Sequence, residues 1–256
     1  MAIITVANQK GGVGKTTTSV NLASSLAYIG CETLIIDIDS QANTTSGFGF
    51  KKENIKHTIY DVLVNKKQIQ DVIMPTEIDW LDIIPASINL VGAEVEMISM
   101  KGREFILKQA LESIKKNYDY IIIDCPPSLG MLTINSLTAS DCVLIPIQCE
   151  YYALEGLGQL LNTIKAVKEY LNSELDIEGV VMTMYDSRVN LSREVIDNVK
   201  KHFPKKVCET VIPRNIKLAE APSYGKPVLL YDIASSGSVA YIELAKEIMN
   251  YEKYIS

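Results

Sequence analysis

The chain of 256 residues is 47% hydrophobic and 22% charged, enough to bury about 70–75% of its unfolded surface without staples. Its five scattered cysteines (31, 125, 142, 149 and 208), with only two histidines beside them, spell neither a disulfide framework nor a structural zinc site. A net charge of −6 excludes bulk electrostatic coating of nucleic acid, so any such role needs a local patch.

In chain order, short β-rich apolar runs are predicted at Ile3–Ala7, Thr33–Asp37, Leu81–Pro85, Tyr120–Asp124, Cys142–Ile147, Gly179–Met184 and Val207–Ile212. Runs apolar on successive residues, such as Tyr120-Ile121-Ile122-Ile123, suit strands covered on both faces, the habit of parallel sheets. Segments between them carry helical spacing, as in Leu157, Leu160, Leu161, Ile164 and Val167. The expected fold is therefore α/β, a doubly wound, mostly parallel sheet with helices on both faces and ligands beyond the carboxyl ends of its strands. One domain is expected over residues 1–256, with a turn-like insertion at Thr44–Lys52 on the ligand side. No run reaches the roughly 18–20 apolar residues of a membrane span, and Met1-Ala2-Ile3-Ile4 opens directly on a strand, so a cytoplasmic protein is expected.

The first strand runs into Lys10-Gly11-Gly12-Val13-Gly14-Lys15-Thr16-Thr17, followed by a helical pattern through Val20, Leu22, Ala23, Leu26 and Ala27. Glycines let backbone N–H groups turn inward around an anion, and the helix N-terminus adds about half a positive charge. Lys15 is placed to reach the β and γ phosphates of a nucleoside triphosphate and the Thr16 hydroxyl to ligate Mg²⁺. The usual P-loop has glycine where this chain has Gln9, and a second lysine, Lys10, stands beside it.

Lys-Gly-Gly-Val-Gly-Lys-Thr-Thr resembles the deviant P-loop of the ParA/MinD family of ATPases, and the resemblance extends over essentially the whole chain. It implies ATP and Mg²⁺ as ligands and a role for Lys10 across a nucleotide-sandwich homodimer. In Asp37-Ile38-Asp39-Ser40-Gln41, alternation sends both aspartates to one side. The resemblance makes Asp39 the carboxylate that positions the attacking water, although Ser40 replaces the usual proline. Asp124, at the end of a buried strand in Asp124-Cys125-Pro126-Pro127, is assigned to the magnesium shell with Thr16 and Asp37. By residue type alone these aspartates also fit turn formers.

Met184 and Pro213 match family positions that pack on adenine, and Asn215 one that bonds its edge; by spacing alone they are strand ends. Tyr151-Tyr152-Ala153-Leu154-Glu155-Gly156 and Leu218–Pro227 resemble the Soj-type branch that partitions chromosomes and plasmids. Between Arg188 and Lys226, nine Lys/Arg stand against four Asp/Glu, which fits a non-specific DNA surface or a solvated basic helix. The branch contacts double-stranded DNA at the positions of Arg188 and Lys217. It also implies a ParB-type centromere-binding partner and a nucleoid-associated location. A MinD-like membrane-surface ATPase is the alternative, and the tail from Ala240 disfavours it, with two lysines against three glutamates. A dethiobiotin synthetase-like ligase on the same scaffold would need an acceptor site, which the sequence does not display.

Overall fold

The computed structural model describes residues 1–150 and 156–255. The strands are β1 (Ala2–Val6), β2 (Thr33–Asp37), β3 (Met74–Pro75), β4 (Leu81–Ile84), β5 (Tyr120–Asp124), β6 (Cys142–Gln148), β7 (Asp176–Tyr185) and β8 (Val207–Pro213). The longer early helices are α1 (Lys15–Tyr28), α2 (Asn43–Gly47), α3 (Ile59–Leu63), α4 (Leu90–Glu96), α5 (Ile106–Leu111) and α6 (Met131–Ala139). They are followed by α7 (Leu157–Tyr170), α8 (Asn190–His202), α9 (Ile216–Glu220), α10 (Val228–Tyr231) and α11 (Ser236–Ile255).

The eight strands form one sheet in the order β3-β4-β2-β5-β1-β6-β7-β8. Every neighbouring pair is parallel except β3 with β4. All seven expected strands are present. The eighth, β3, is a two-residue edge strand that ends on Pro75, where a missing N–H disturbs no inner ladder.

Every residue of β1, β2 and β5 is buried. Period-two alternation divides their side chains between two cores. Ile3, Leu34, Ile36, Ile121 and Ile123 face the layer built with α3 to α8. Ile4, Val6, Ile35 and Ile122 face the layer built with α1 and α11. Each such aliphatic burial stabilises the fold by about 1.5–3 kcal/mol. Helix α1 reaches the sheet because Ser19, Ala23, Ser24 and Ala27 are small, and the buried Thr18 and Tyr241 hydroxyls, 3.2 Å apart, tie it to α11.

The insertion expected as a turn at Thr44–Lys52 contains α2 instead. Asn-Thr-Thr-Ser-Gly has poor helix propensity, but Thr45 is held by Asp37, and this tertiary contact overrides it. The loop after α2 touches the segment before α10 backbone to backbone. Gly49 (φ +80°) and Gly225 (φ +64°) meet so closely that a Cβ on Gly225 would lie 2.6 Å from the Gly49 Cα.

Candidate nucleotide site

The site forms where the central strands end. β1 leads into the turn at residues 7–14, and Gly12 (φ +76°) and Gly14 (φ +90°) take backbone conformations that side chains resist. Gly14 also lies against Thr183, whose hydroxyl donates to the Val13 carbonyl at 2.8 Å and so fixes the loop to β7. The first-turn amides of α1 then open onto the space the loop encloses.

Lys15 is buried, and its ammonium donates to the Lys10 carbonyl at 3.0 Å. Burial lowers its pKa, while the carboxylates of Asp124 and Asp39 and the Cys125 thiol pull it back up. The Lys10 amide in turn donates to Asn8 Oδ1 at 3.0 Å. Lys10 lines an open concavity of about 400 Å³ with Gln9, Gly156 and Gln159. Within reach of that concavity, Gln9 Oε1 is buried without a hydrogen-bond partner among the described residues.

Sheet register brings the acidic residues together: Asp37 on β2 sits directly opposite Asp124 on β5. Asp124 accepts from the Ser19 hydroxyl at 2.8 Å and the Thr44 hydroxyl at 2.7 Å. Burial raises its pKa against the hydrogen bonds of Thr44, Ser19 and Thr16. Asp37 accepts from the Thr45 amide (2.8 Å), the Thr45 hydroxyl (2.7 Å) and the Asp39 amide (3.2 Å). Burial, reinforced by the neighbouring Asp124 charge, pushes Asp37 up to about 7. Asp39 is buried with one oxygen accepting the Gln41 amide at 2.9 Å. The chain then turns through Ala42, a non-glycine at φ 54°, into α2.

Met184, Pro213 and Asn215 line one cavity of about 260 Å³ with Gly14, Thr17, Ile212 and Leu218. Met184 holds φ 53°, a strained conformation for a long side chain. The Asn215 amide is already engaged: Oδ1 accepts the Lys217 N–H as the N-cap of α9, and Nδ2 donates to Ser236 Oγ, each at 2.7 Å.

Arg188 and Lys217 line neither this cavity nor the loop. Arg188 forks onto Asp186 at 2.9 and 2.7 Å, which holds the Asp186 carboxyl down to about 2. Lys217 reaches Glu220 at 3.1 Å and lies 5.4 Å above the Tyr231 ring. Two more cations of this region are in ion pairs, Lys206 with Asp176 at 2.9 Å and Arg214 with Glu150 at 3.9 Å. The Tyr151–Glu155 part of the Soj-like run lies outside the described residues. The sequence reading missed Ser19, Thr44 and Thr45 as carboxylate holders; a hydroxyl one turn after Lys15 and a Thr pair after the Asp-x-Asp run were the signals.

A family model described as an AAA domain matches residues 1–177. The sporulation initiation inhibitor protein Soj of Bacillus subtilis is 59% identical over 246 residues, covering 96% of this chain and 97% of that protein. The chain belongs to the Soj/ParA family of P-loop ATPases. Another family relative, the chromosome partitioning protein ParA of Myxococcus xanthus, is 53% identical, covering 96% of this chain and 87% of its own length. Family likeness extends to solved structures. A Mycobacterium smegmatis protein named cobyrinic acid a,c-diamide synthase, with bound ADP and magnesium, superposes at TM-score 0.88 with 35% identity, covering 99% of this chain and 96% of that one. Among the described residues no helix is long and apolar enough to cross a membrane.

Proposed function

We propose that this chain, acting as one unit over residues 1–256, is a cytoplasmic, nucleoid-associated DNA-partition ATPase. ATP joins two protomers face to face, the dimer binds double-stranded DNA without sequence preference, and hydrolysis, stimulated by a ParB-type partner, releases it. One observation carries the reading: the loop with its second lysine converges with Asp39 and Asp124 at the strand ends of a chain 59% identical to Soj.

The residues present fit the nucleotide and the metal. The glycine turn and the first turn of α1 present backbone amides to phosphates, and the apolar 260 Å³ cavity beside Gly14 and Thr17 has room for a purine between Met184 and Pro213. For the edge of that purine Asn215 must share or exchange its present bonds. Thr16 and Asp124 supply the hard oxygen donors that magnesium prefers, with Asp37 behind them, and the bound ion neutralises phosphate charge. Lys15 leaves the Lys10 carbonyl to hold the β and γ phosphates. Asp39, fixed by the Gln41 amide, accepts a hydrogen bond from water and aims it at the γ-phosphorus. Lys10 reaches the partner protomer's phosphates; the open concavity beside it and Gln9 Oε1, without a hydrogen-bond partner among the described residues, support a face completed by a second copy.

The DNA surface is drawn from the cations between Arg188 and Lys226, with Arg188 and Lys217 as contacts. Dimerisation doubles that set of cations, which is why nucleotide can switch DNA binding. The test compares binding to two unrelated duplexes with ATP, ADP and no nucleotide. Tight, salt-sensitive binding with ATP alone is expected; equal binding in all three states would overturn the reading.

A further inference from the structure

Lys217 does not stand free on its helix. Its ammonium donates to Glu220 Oε2 at 3.1 Å, and the Tyr231 hydroxyl donates to that same oxygen at 3.1 Å. The Tyr231 ring lies 5.4 Å from the ammonium and is backed by the Tyr224 ring, with centroids 5.1 Å apart. An aromatic face attracts a cation and so fixes where it stands. Once a phosphate displaces Glu220, Tyr231 is what still holds Lys217 in place.

Tyr231 is the last residue of α10, a helix of four residues. So short a helix has no stability of its own, and its placement follows from its contacts. Val228 and Leu229 seat it in the core shared with α1 and α11. Its N-cap is Pro227, which has no side-chain oxygen to offer the first amides. Asn21 of α1 supplies that oxygen: the residue is buried, and its Oδ1 accepts the Val228 amide at 2.8 Å. Asn21 Nδ2 donates to the Thr17 carbonyl at 2.8 Å, which fixes the direction of the side chain. Thr17 closes the phosphate loop and lines the purine cavity with Gly14. A continuous line of contacts therefore runs from Thr17 through Asn21, α10 and Tyr231 to Lys217.

We propose that Asn21 and Tyr231 are positioning residues for DNA binding: Asn21 sets α10 from the phosphate loop, and Tyr231 sets Lys217 from α10. The inference rests on the partition reading above, with Lys217 as a DNA contact. When ATP joins two loops face to face, this line fixes the two Lys217 side chains relative to each other, at the span a stiff duplex requires.

The test titrates salt against binding of the full-length protein to a duplex with ATP, for Asn21→Ala, Tyr231→Leu and Lys217→Gln and for each of the first two combined with Lys217→Gln. ATP affinity and ATP-dependent dimerisation are measured alongside. Each single variant should keep both controls and reduce the log-log salt slope by about 1.8, from two lysines per dimer at about 0.9 per phosphate contact. The combined variants should lose nothing more, because the same cation is already out of place. A full further loss in the combinations would overturn the proposal by showing that Asn21 and Tyr231 act apart from Lys217. A wild-type slope in Asn21→Ala, or its failure to bind ATP or dimerise, would overturn the link from the loop. Should Asn21→Ala not fold, Tyr231→Leu decides, since its side chain is half-buried at the surface: a wild-type slope there overturns the proposal. A wild-type slope in Lys217→Gln would remove Lys217 as a contact and this inference with it, whereas a wild type that ignores DNA with ATP would remove the partition reading itself.

Discussion

The phosphate loop region and the basic region between Arg188 and Lys226 are built on opposite principles. Around the loop, charges are buried and each has a named hydrogen-bond partner: Asp124 accepts from Ser19 and Thr44, Asp37 accepts from Thr45, and Lys15 donates to the Lys10 carbonyl. Most cations of the basic region are exposed, with Lys206 and Lys217 half-buried, and four of the nine already lean on a carboxylate of the same chain. Buried partners fix geometry, which phosphoryl transfer needs. Exposed pairs contribute little to stability, which suits the reversible DNA binding proposed for this surface. The lesson is that rigidity is spent where atoms react and withheld where binding has to reverse.

The comparison breaks most decisively at Lys15. Lys15→Ala should lower ATP affinity by about a hundredfold, since a hydrogen bond from a charged group contributes up to about 3 kcal/mol. Titration calorimetry checks it, and unchanged affinity would mean the loop does not hold a triphosphate. Asp39→Ala should keep ATP binding but reduce turnover by about a hundredfold. An ATP-dependent dimer should then accumulate on size exclusion, whereas Lys10→Ala should bind ATP and stay monomeric.

A smaller effect is expected where the two regions touch. Gly225→Ala puts a Cβ against the Gly49 backbone at a positive φ, and should cost about 2 kcal/mol, read as a lowered thermal midpoint without nucleotide. A midpoint equal to wild type would show that the two loops are free to part.

At the exposed surface the effects are graded by salt. Arg188→Glu or Lys217→Glu should weaken DNA binding and flatten its salt dependence, with dimerisation intact. Asp186→Asn should do the reverse by freeing Arg188 from its fork, tightening binding a few-fold and steepening the log-log salt slope, by about 0.9 for each added phosphate contact. If none of the three variants moves the slope, the DNA surface lies elsewhere.

Much of this was legible in the sequence, and the reason differs by element. Tyr120–Asp124 announced itself because Ile121, Ile122 and Ile123 are apolar in succession, as a strand buried on both faces requires. The loop from Lys10 to Thr17 was legible because glycine positions and a helix start are local signals. The Asp37–Asp124 pairing was not, since it depends on β2 lying beside β5 in one register, and no local pattern encodes that. Nor was the Thr44 hydroxyl on Asp124, a contact between residues 80 apart in sequence. Met74–Pro75 is too short to carry a period, and α2 reads as a turn because only its contact with Asp37 makes it helical. The exposure of Val91 and Val95 was hidden too, because both look like core residues until the sheet takes its place on the far side of α4.

The joint at Gly49 and Gly225 has a mechanical consequence. Side chains that separate most neighbouring loops are compliant: they change rotamer and absorb a displacement. Here backbone meets backbone, so the compliance is missing in one direction only. A push from the α2 loop toward residues 221–227 meets backbone at once, with no side chain between to absorb it. The contact is a stop rather than a spring, and it stands between the loop that follows Asp37 and Asp39 and the segment that follows the helix bearing Lys217.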